Sequence, residues 1–178
     1  VSTLLRQYFT DEKVFETLAR CEDRGINTAI LRLDENTLRI INTYWKERGG
    51  KMQWIAQCKI MAMDIVSGIQ PAIDNGAHAC YIHGGVADQM VADGQIDVLG
   101  KAVEYIKDQG AVAGIAGHMV EVPKAVVEAE IEVDFFMKTI NAKNYWSAAH
   151  EPQFDSVWSE TPEETATFMK GVDKPWIA

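Results

Sequence analysis

Cysteine is scarce in this chain of 178 residues: Cys21, Cys58 and Cys80 are an odd number and show no CxxC spacing. That excludes a disulfide framework and a cysteine zinc site, and it fits a reducing, cytoplasmic setting. Basic residues are also in deficit. Seventeen Lys and Arg stand against twenty-six Asp and Glu, for a formal charge of -9, with no local basic stripe. Such a chain is a poor match for phosphate backbones or anionic membrane surfaces, so neither nucleic acid nor membrane is an expected partner. No apolar run approaches the roughly 18 residues of a membrane span. Val1 opens no signal peptide, although an export signal lost upstream would leave the same record. What the chain does have is 47% hydrophobic and 24% charged residues, the make-up of a globular domain that buries a sizeable core.

Along the chain, helical patterns alternate with short apolar runs. A polar helix from about Asp11 to Arg24 precedes the strand INTAILRL, and a helix from Asp34 or Glu35 to about Arg48 follows it. The cycle repeats with KMQWIAQCKI and a helix over Asp64 to Asn75, then HACYIHGG and a helix over Asp97 to Gln109. AVAGIAGHM with a helix near Val122 to Ala129, VDFFMKTI with a helix from Pro162 to Lys170, and a last strand KPWIA complete the series. Gly25, Gly49 with Gly50, Gly76, Gly110 and Gly171 mark the helix-to-strand joints, where a left-handed residue ends a helix. Glu130 stands in the equivalent place before VDFFMKTI. That departure predicts either a different turn or a strain that Glu130→Gly would relieve.

Near-continuous apolar runs of five to eight residues suit parallel strands covered on both faces, and their alternation with helices is the βαβ signature. Two architectures fit, a doubly wound sheet and a (β/α)8 barrel. Neither HGG nor AGH has the GxGxxG spacing of a doubly wound nucleotide binder, which favours the barrel. A complete barrel takes about 250 residues. The expectation is therefore one TIM-barrel domain over residues 1–178, incomplete, with six strands visible and the first and last missing, and with a long loop at about 141–161.

In such a barrel the active site lies at the C-terminal strand ends. These ends collect Arg32 and Asp34, Gln57 and Lys59, His83, His118 and Lys138. Strand alternation adds a finer expectation. His83 would share an inward face with Tyr81 and Ala79, and His118 with Ala116, Gly114 and Val112, leaving space beneath its imidazole. Lys138 would share the inward face with Phe136 and Asp134, while Ile82, Ile115, Met137 and Phe135 pack against helices. A partly desolvated lysine near Lys59 would have a lowered pKa and a neutral amine able to attack a carbonyl and form a Schiff base. The alternative is a rim lysine that snorkels or binds an anion. His83 and His118, on neighbouring strand ends, could move a proton at a carbon next to a carbonyl while stabilising the enolate. They could instead hold a divalent metal with Asp34 or Glu151 as oxygen ligand, or simply bond to backbone at the rim. His78 reads as structural and His150 is left open.

The stretch from Asn141 to Thr161 lacks helical periodicity and contains Asn144, Tyr145, Trp146, His150, Glu151, Phe154 and Trp158. It reads as a lid that lays Tyr145 and Trp146 over a ligand while Asn144 and Glu151 meet its polar groups, or as a subunit contact in a homo-oligomer. Gly84 and Gly85 after His83 form a weak anion motif. Met61, Met63, Met90 and Met119 read as gap fillers rather than copper ligands.

The succession GINTAILRL, NGAHACYIHGGVAD, AGIAGH, DFFMKTI, NYWSA, SETPEET and KPWIA resembles a largely uncharacterised bacterial family of (β/α)8-barrel proteins. The resemblance implies a strand before Val1 and an eighth strand after KPWIA, and names no substrate. Phe136-Met137-Lys138-Thr139 is similar to the strand that carries the Schiff-base lysine in class I aldolases of the deoxyribose-phosphate type, with the aspartate one position farther upstream. Together these readings lead to an enzyme acting on a small carbonyl compound or sugar derivative, an aldolase-like lyase or an isomerase or epimerase. It would need no cofactor and use Lys138, His83 and His118 as catalytic groups, with Arg32, Asp34, Gln57, Lys59, Asn144, Tyr145, Trp146 and Glu151 around the substrate. The competing readings are a metal-dependent isomerase or hydrolase with a divalent ion at His83 and His118, and a non-catalytic barrel acting as an assembly subunit.

Overall fold

The computed structural model describes residues 2–141 and 162–178. Helix α1 (Ser2–Tyr8) and helix α2 (Asp11–Glu22) precede strand β1 (Thr28–Arg32). Then come α3 (Glu35–Lys46), β2 (Gln53–Cys58), α4 (Gln70–Asp74), β3 (Ala79–Ile82), α5 (Gly84–Ala92) and α6 (Ile96–Asp108). The chain continues with β4 (Val112–Gly117), α7 (Glu121–Glu128), β5 (Phe135–Lys138), α8 (Pro162–Lys170) and β6 (Trp176–Ile177). All six strands run parallel in the order β1-β2-β3-β4-β5-β6. Each strand thus pairs with its neighbours in sequence and the order never reverses, so there is no switch point of the doubly wound kind. The architecture is that of an incomplete (β/α)8 barrel, with helices on the outer side of a curled parallel sheet.

Two apolar layers follow from the register. Trp54, Ala56, Cys58, Cys80, Ile82, Ala113, Ile115 and Phe136 point outward and pack with Ile41, Leu99, Val103, Ile106, Val122 and Val126 from the helices. On the inner face Ala79, Tyr81, Ala116 and Phe135 cluster with Ile55 and Met137. Trp54 is fully buried, and its indole N–H donates to the Leu31 carbonyl at 3.2 Å, which meets the polar requirement of the ring. The inner positions of β3 and β4 are those expected from alternation. On β5 the faces are exchanged: Phe135 and Met137 point inward, and Phe136 goes to the helices. The pairing of Gly114 with Phe135 explains the choice, because a Cβ on Gly114 would lie 2.4 Å from the phenyl ring. The space expected under the His118 imidazole is therefore filled by Phe135, whose ring meets Tyr81 edge-on at 6.3 Å.

Several local expectations are revised. The helix expected over 64–75 shortens to five residues, because the Asp64 carboxylate accepts from the Ser67 N–H at 3.0 Å and holds a turn, and Pro71 opens the helix. Helix α5 begins directly after β3, at the paired glycines themselves, and is not among the helices read from periodicity. Met90 fills the core as expected, whereas Met61 and Met63 are 64% and 98% exposed and fill nothing. Glycines 25, 49, 76 and 110 take positive φ at helix ends, and Gly171 does not. Glu130 does, at φ 53°, so the strain expected there is present. Among the described residues, no helix is long and apolar enough to cross a membrane.

Candidate active site

The C-terminal ends of β1 to β4 bring five of the expected residues to one rim. In the register, Arg32 pairs with Gln57 and Gln57 with Tyr81. The Gln57 side-chain amide donates to the Tyr81 hydroxyl at 2.9 Å, and burial raises the pKa of that phenol. Lys59 follows two residues later and is exposed. The backbone N–H of His83 donates to the Cys58 carbonyl at 2.8 Å, which seats the imidazole beside the strand end that carries Lys59.

His83 caps helix α5: its Nδ1 accepts from the Gly85 N–H at 3.1 Å. In the neutral ring this leaves the proton on Nε2. Burial first, then the positive charges of Lys59, His118 and Arg32, hold its pKa below the usual 6.5. His83 is therefore a neutral donor at physiological pH. His118 lies across from it, ring centroids 6.5 Å apart and ring planes inclined at 67°.

The partner of His118 is a residue that sequence reasoning missed. Asp88, on α5, receives the His118 Nδ1–H at 2.6 Å on one carboxylate oxygen and the backbone N–H groups of His118 and Met119 at 3.0 and 3.1 Å on the other. The imidazole Nε2 is then the basic nitrogen, oriented by a carboxylate, as in a general-base pair. Asp88 lies five residues after His83, one and a half turns along a helix whose existence was not legible, so its position relative to β4 gave no sequence signal. Gly84 completes the packing: a Cβ there would stand 2.9 Å from the His118 ring. The absence of a side chain lets α5 approach the imidazole.

Lys138 is nearly sealed from solvent, at 1% exposure. It pairs with Gly117 in the register and lies on the same side of β5 as Phe136, away from the inner face. Its amine donates to the carbonyls of His118 at 2.7 Å and Thr139 at 2.6 Å. Burial lowers its pKa, and the carboxylates of Asp88 and Glu121 act against that. The amine thus binds the residue that carries one imidazole rather than facing both rings. Asp34 is engaged too: it caps α3, accepting the Thr37 N–H at 2.8 Å, with the Arg32 guanidinium 3.9 Å away. His78 sits at the opposite end of β3, where its backbone links β2 and β4. Asn144, Tyr145, Trp146, His150 and Glu151 lie outside the described residues. Among the described residues, no three His, Cys, Asp or Glu side chains converge as metal ligands.

No protein-family model matches this chain, and no curated protein matches it. The resemblance to an uncharacterised bacterial family therefore gains no support, whereas the aldolase resemblance is supported at the level of fold. The chain is similar to a crystal structure described as "a putative deoxyribose-phosphate aldolase from Coccidioides immitis", with a TM-score of 0.55 and 14% sequence identity. The match covers 72% of this chain and 54% of the other, so the chain spans about half the length of that structure. At this identity the likeness is one of fold: a parallel sheet of the aldolase barrel type.

Proposed function

We propose that this rim belongs to an aldolase-like enzyme that removes or returns a proton at the carbon next to the carbonyl of a small substrate. The observation that supports it best is the opposed imidazole pair, with one ring held by a carboxylate and the other kept neutral at a helix N-terminus. His118 acts as the base: Asp88 steadies the imidazolium that forms when Nε2 takes the proton. His83 donates its Nε2–H to the carbonyl oxygen as negative charge develops there. A neutral imidazole suits that task, because its proton is shared with the enolate without being lost to it. The chemistry serves an isomerase as well as a carbon-carbon lyase, both of which pass through an enolate or its equivalent. The test is deuterium exchange from solvent into a panel of small aldehydes and ketones, followed by NMR. His118→Gln should slow exchange by roughly 10²–10⁴-fold, the usual contribution of a positioned acid or base. Exchange that is unchanged in His118→Gln and His83→Gln refutes the proposal.

A second reading gives Lys138 the covalent role. It is favoured by the amine's burial, which lowers its pKa, and by the aldolase-type fold. Attack on a carbonyl requires the amine to leave the His118 and Thr139 carbonyls. Borohydride reduction with a carbonyl substrate that exchanges would trap the adduct, and peptide mass analysis would locate it. Reduction that marks any residue but Lys138, or none, removes this reading.

A further inference from the structure

Beyond the two imidazoles, the same rim carries two exposed cations, Lys59 and Arg32. Lys59 has no hydrogen-bond or ion-pair partner among the described residues, and its side chain is exposed. Among the described residues Arg32 has one ion pair, a long one to Asp34 at 3.9 Å, beyond hydrogen-bond distance, and Asp34 also serves the Thr37 N–H. Other cations on the surface pair closely with carboxylates, as Arg48 does with Glu12, Lys101 with Asp97 and Lys107 with Asp134. The register sets the two cations on adjacent strand ends, with Arg32 beside Gln57 and Lys59 just beyond it. The bond from the His83 N–H to the Cys58 carbonyl places the imidazole at the next strand end.

We propose that the substrate is an anionic carbonyl compound whose carboxylate or phosphate group is held between Lys59 and Arg32, next to His83. The inference rests on reading this rim as the catalytic site, and it names the substrate class. Three arguments carry it. A chain with a charge of -9 repels anions in general, so a local pair of exposed cations is needed to admit one. Arg32 offers a planar fork that matches two oxygens of a carboxylate or phosphate, and Lys59 adds a compact charge that can follow it. Both cations act on His83 from outside: they are among the groups that hold its pKa down. An anion seated between them would cancel that influence.

Inorganic phosphate and pyruvate serve as separate probes, titrated against the protein while the His83 ring resonance is followed by NMR. The expected result is a saturable shift for one or both, with a dissociation constant on the order of 1 mM, and an upward move of the His83 pKa in the bound form. Which probe binds distinguishes phosphate from carboxylate recognition. Lys59→Gln and Arg32→Gln should each weaken binding about tenfold or more, and Lys170→Gln, on the outer helix α8, should not. Both side chains are exposed, so melting curves will show that these variants remain folded. Neither probe moving the His83 signal, or equal binding in Lys59→Gln and the parent, overturns the proposal. Loss of anion binding with exchange of a neutral aldehyde intact removes this inference alone. Intact, Lys59-dependent binding without exchange of any carbonyl compound supports the subsite and removes the proton-transfer reading.

Discussion

Replacing Glu130 by glycine should stabilise the protein, and the structure says by how much. At the end of α7 the Ile131 N–H bonds to the Val126 carbonyl at 3.0 Å and the Glu130 N–H to the Val127 carbonyl at 3.1 Å. That is the Schellman pattern. The same pair of bonds recurs at Gly25, Gly76, Gly94 and Gly110, each with φ between 70° and 82°. Glu130 occupies the left-handed position with a Cβ, at φ 53°. A left-handed conformation costs an L-residue about 1–2 kcal/mol, and glycine returns about 0.5–1 kcal/mol of that through its freer unfolded chain. The net gain is therefore about 0.5–1 kcal/mol. For a protein of this size that is a rise of roughly 1–4 °C in Tm. The Glu130 side chain is exposed and has no partner among the described residues, so Glu130→Ala isolates the side chain from the backbone. It should lie within about 0.5 kcal/mol of the parent. Urea denaturation of the parent, Glu130→Ala and Glu130→Gly decides the matter. A glycine variant no more stable than the alanine variant refutes the strain argument.

Gly84→Ala should displace the His118 ring from Asp88 and reduce exchange activity by at least tenfold while the melting temperature changes little, measured by NMR of the imidazole and by the exchange assay. Lys138→Met leaves the His118 and Thr139 carbonyls without a donor and should cost roughly 2–4 kcal/mol in denaturation experiments. His83, whose folded pKa is lowered, binds its proton more readily in the unfolded chain. Its contribution to stability is complete above the unfolded value of 6.5 and is lost as pH falls through that value toward the folded one. His83→Gln should flatten stability against pH in that window, and a slope identical to the parent's contradicts the assignment. Cys58 and Cys80 are fully buried, and contact with Cys80 together with burial pushes the Cys58 thiol up. A thiol reagent should therefore react only with Cys21 until the protein unfolds.

The strands were readable because a parallel strand covered on both faces needs an unbroken apolar run, and six such runs stand between helices. Their ends were readable for the same reason: a polar residue closing an apolar run marks where the strand reaches the rim. Arg32, Gln57, Lys59, His83 and His118 are legible in the sequence for that reason. What failed was local. A run such as VDFFMKTI is apolar on both faces, so alternation alone does not say which face points inward. That choice was made by Gly114 on the neighbouring strand, which admits the Phe135 ring. Asp88 was hidden because it depends on a helix starting at two glycines, residues that disfavour helix interiors but are tolerated where a capping His83 begins one.

The exchanged parity of β5 changes what Lys138 can be. Its amine holds the carbonyl of His118, while Asp88 holds the backbone N–H and the imidazole of the same residue. His118 is thus fixed from both sides of its peptide unit, by a cation on one and an anion on the other. A base that must meet a substrate carbon within a few tenths of an ångström gains from such restraint. If positioning is the whole role of Lys138, Lys138→Arg, which keeps the charge and the donors, should recover part of the exchange activity lost in Lys138→Met. A Schiff-base nucleophile predicts the reverse, since a guanidinium forms no such adduct and Lys138→Arg would be as inactive as Lys138→Met. The two variants, compared at one pH with the same carbonyl substrate, therefore separate a lysine that reacts from a lysine that aims the residue beside it.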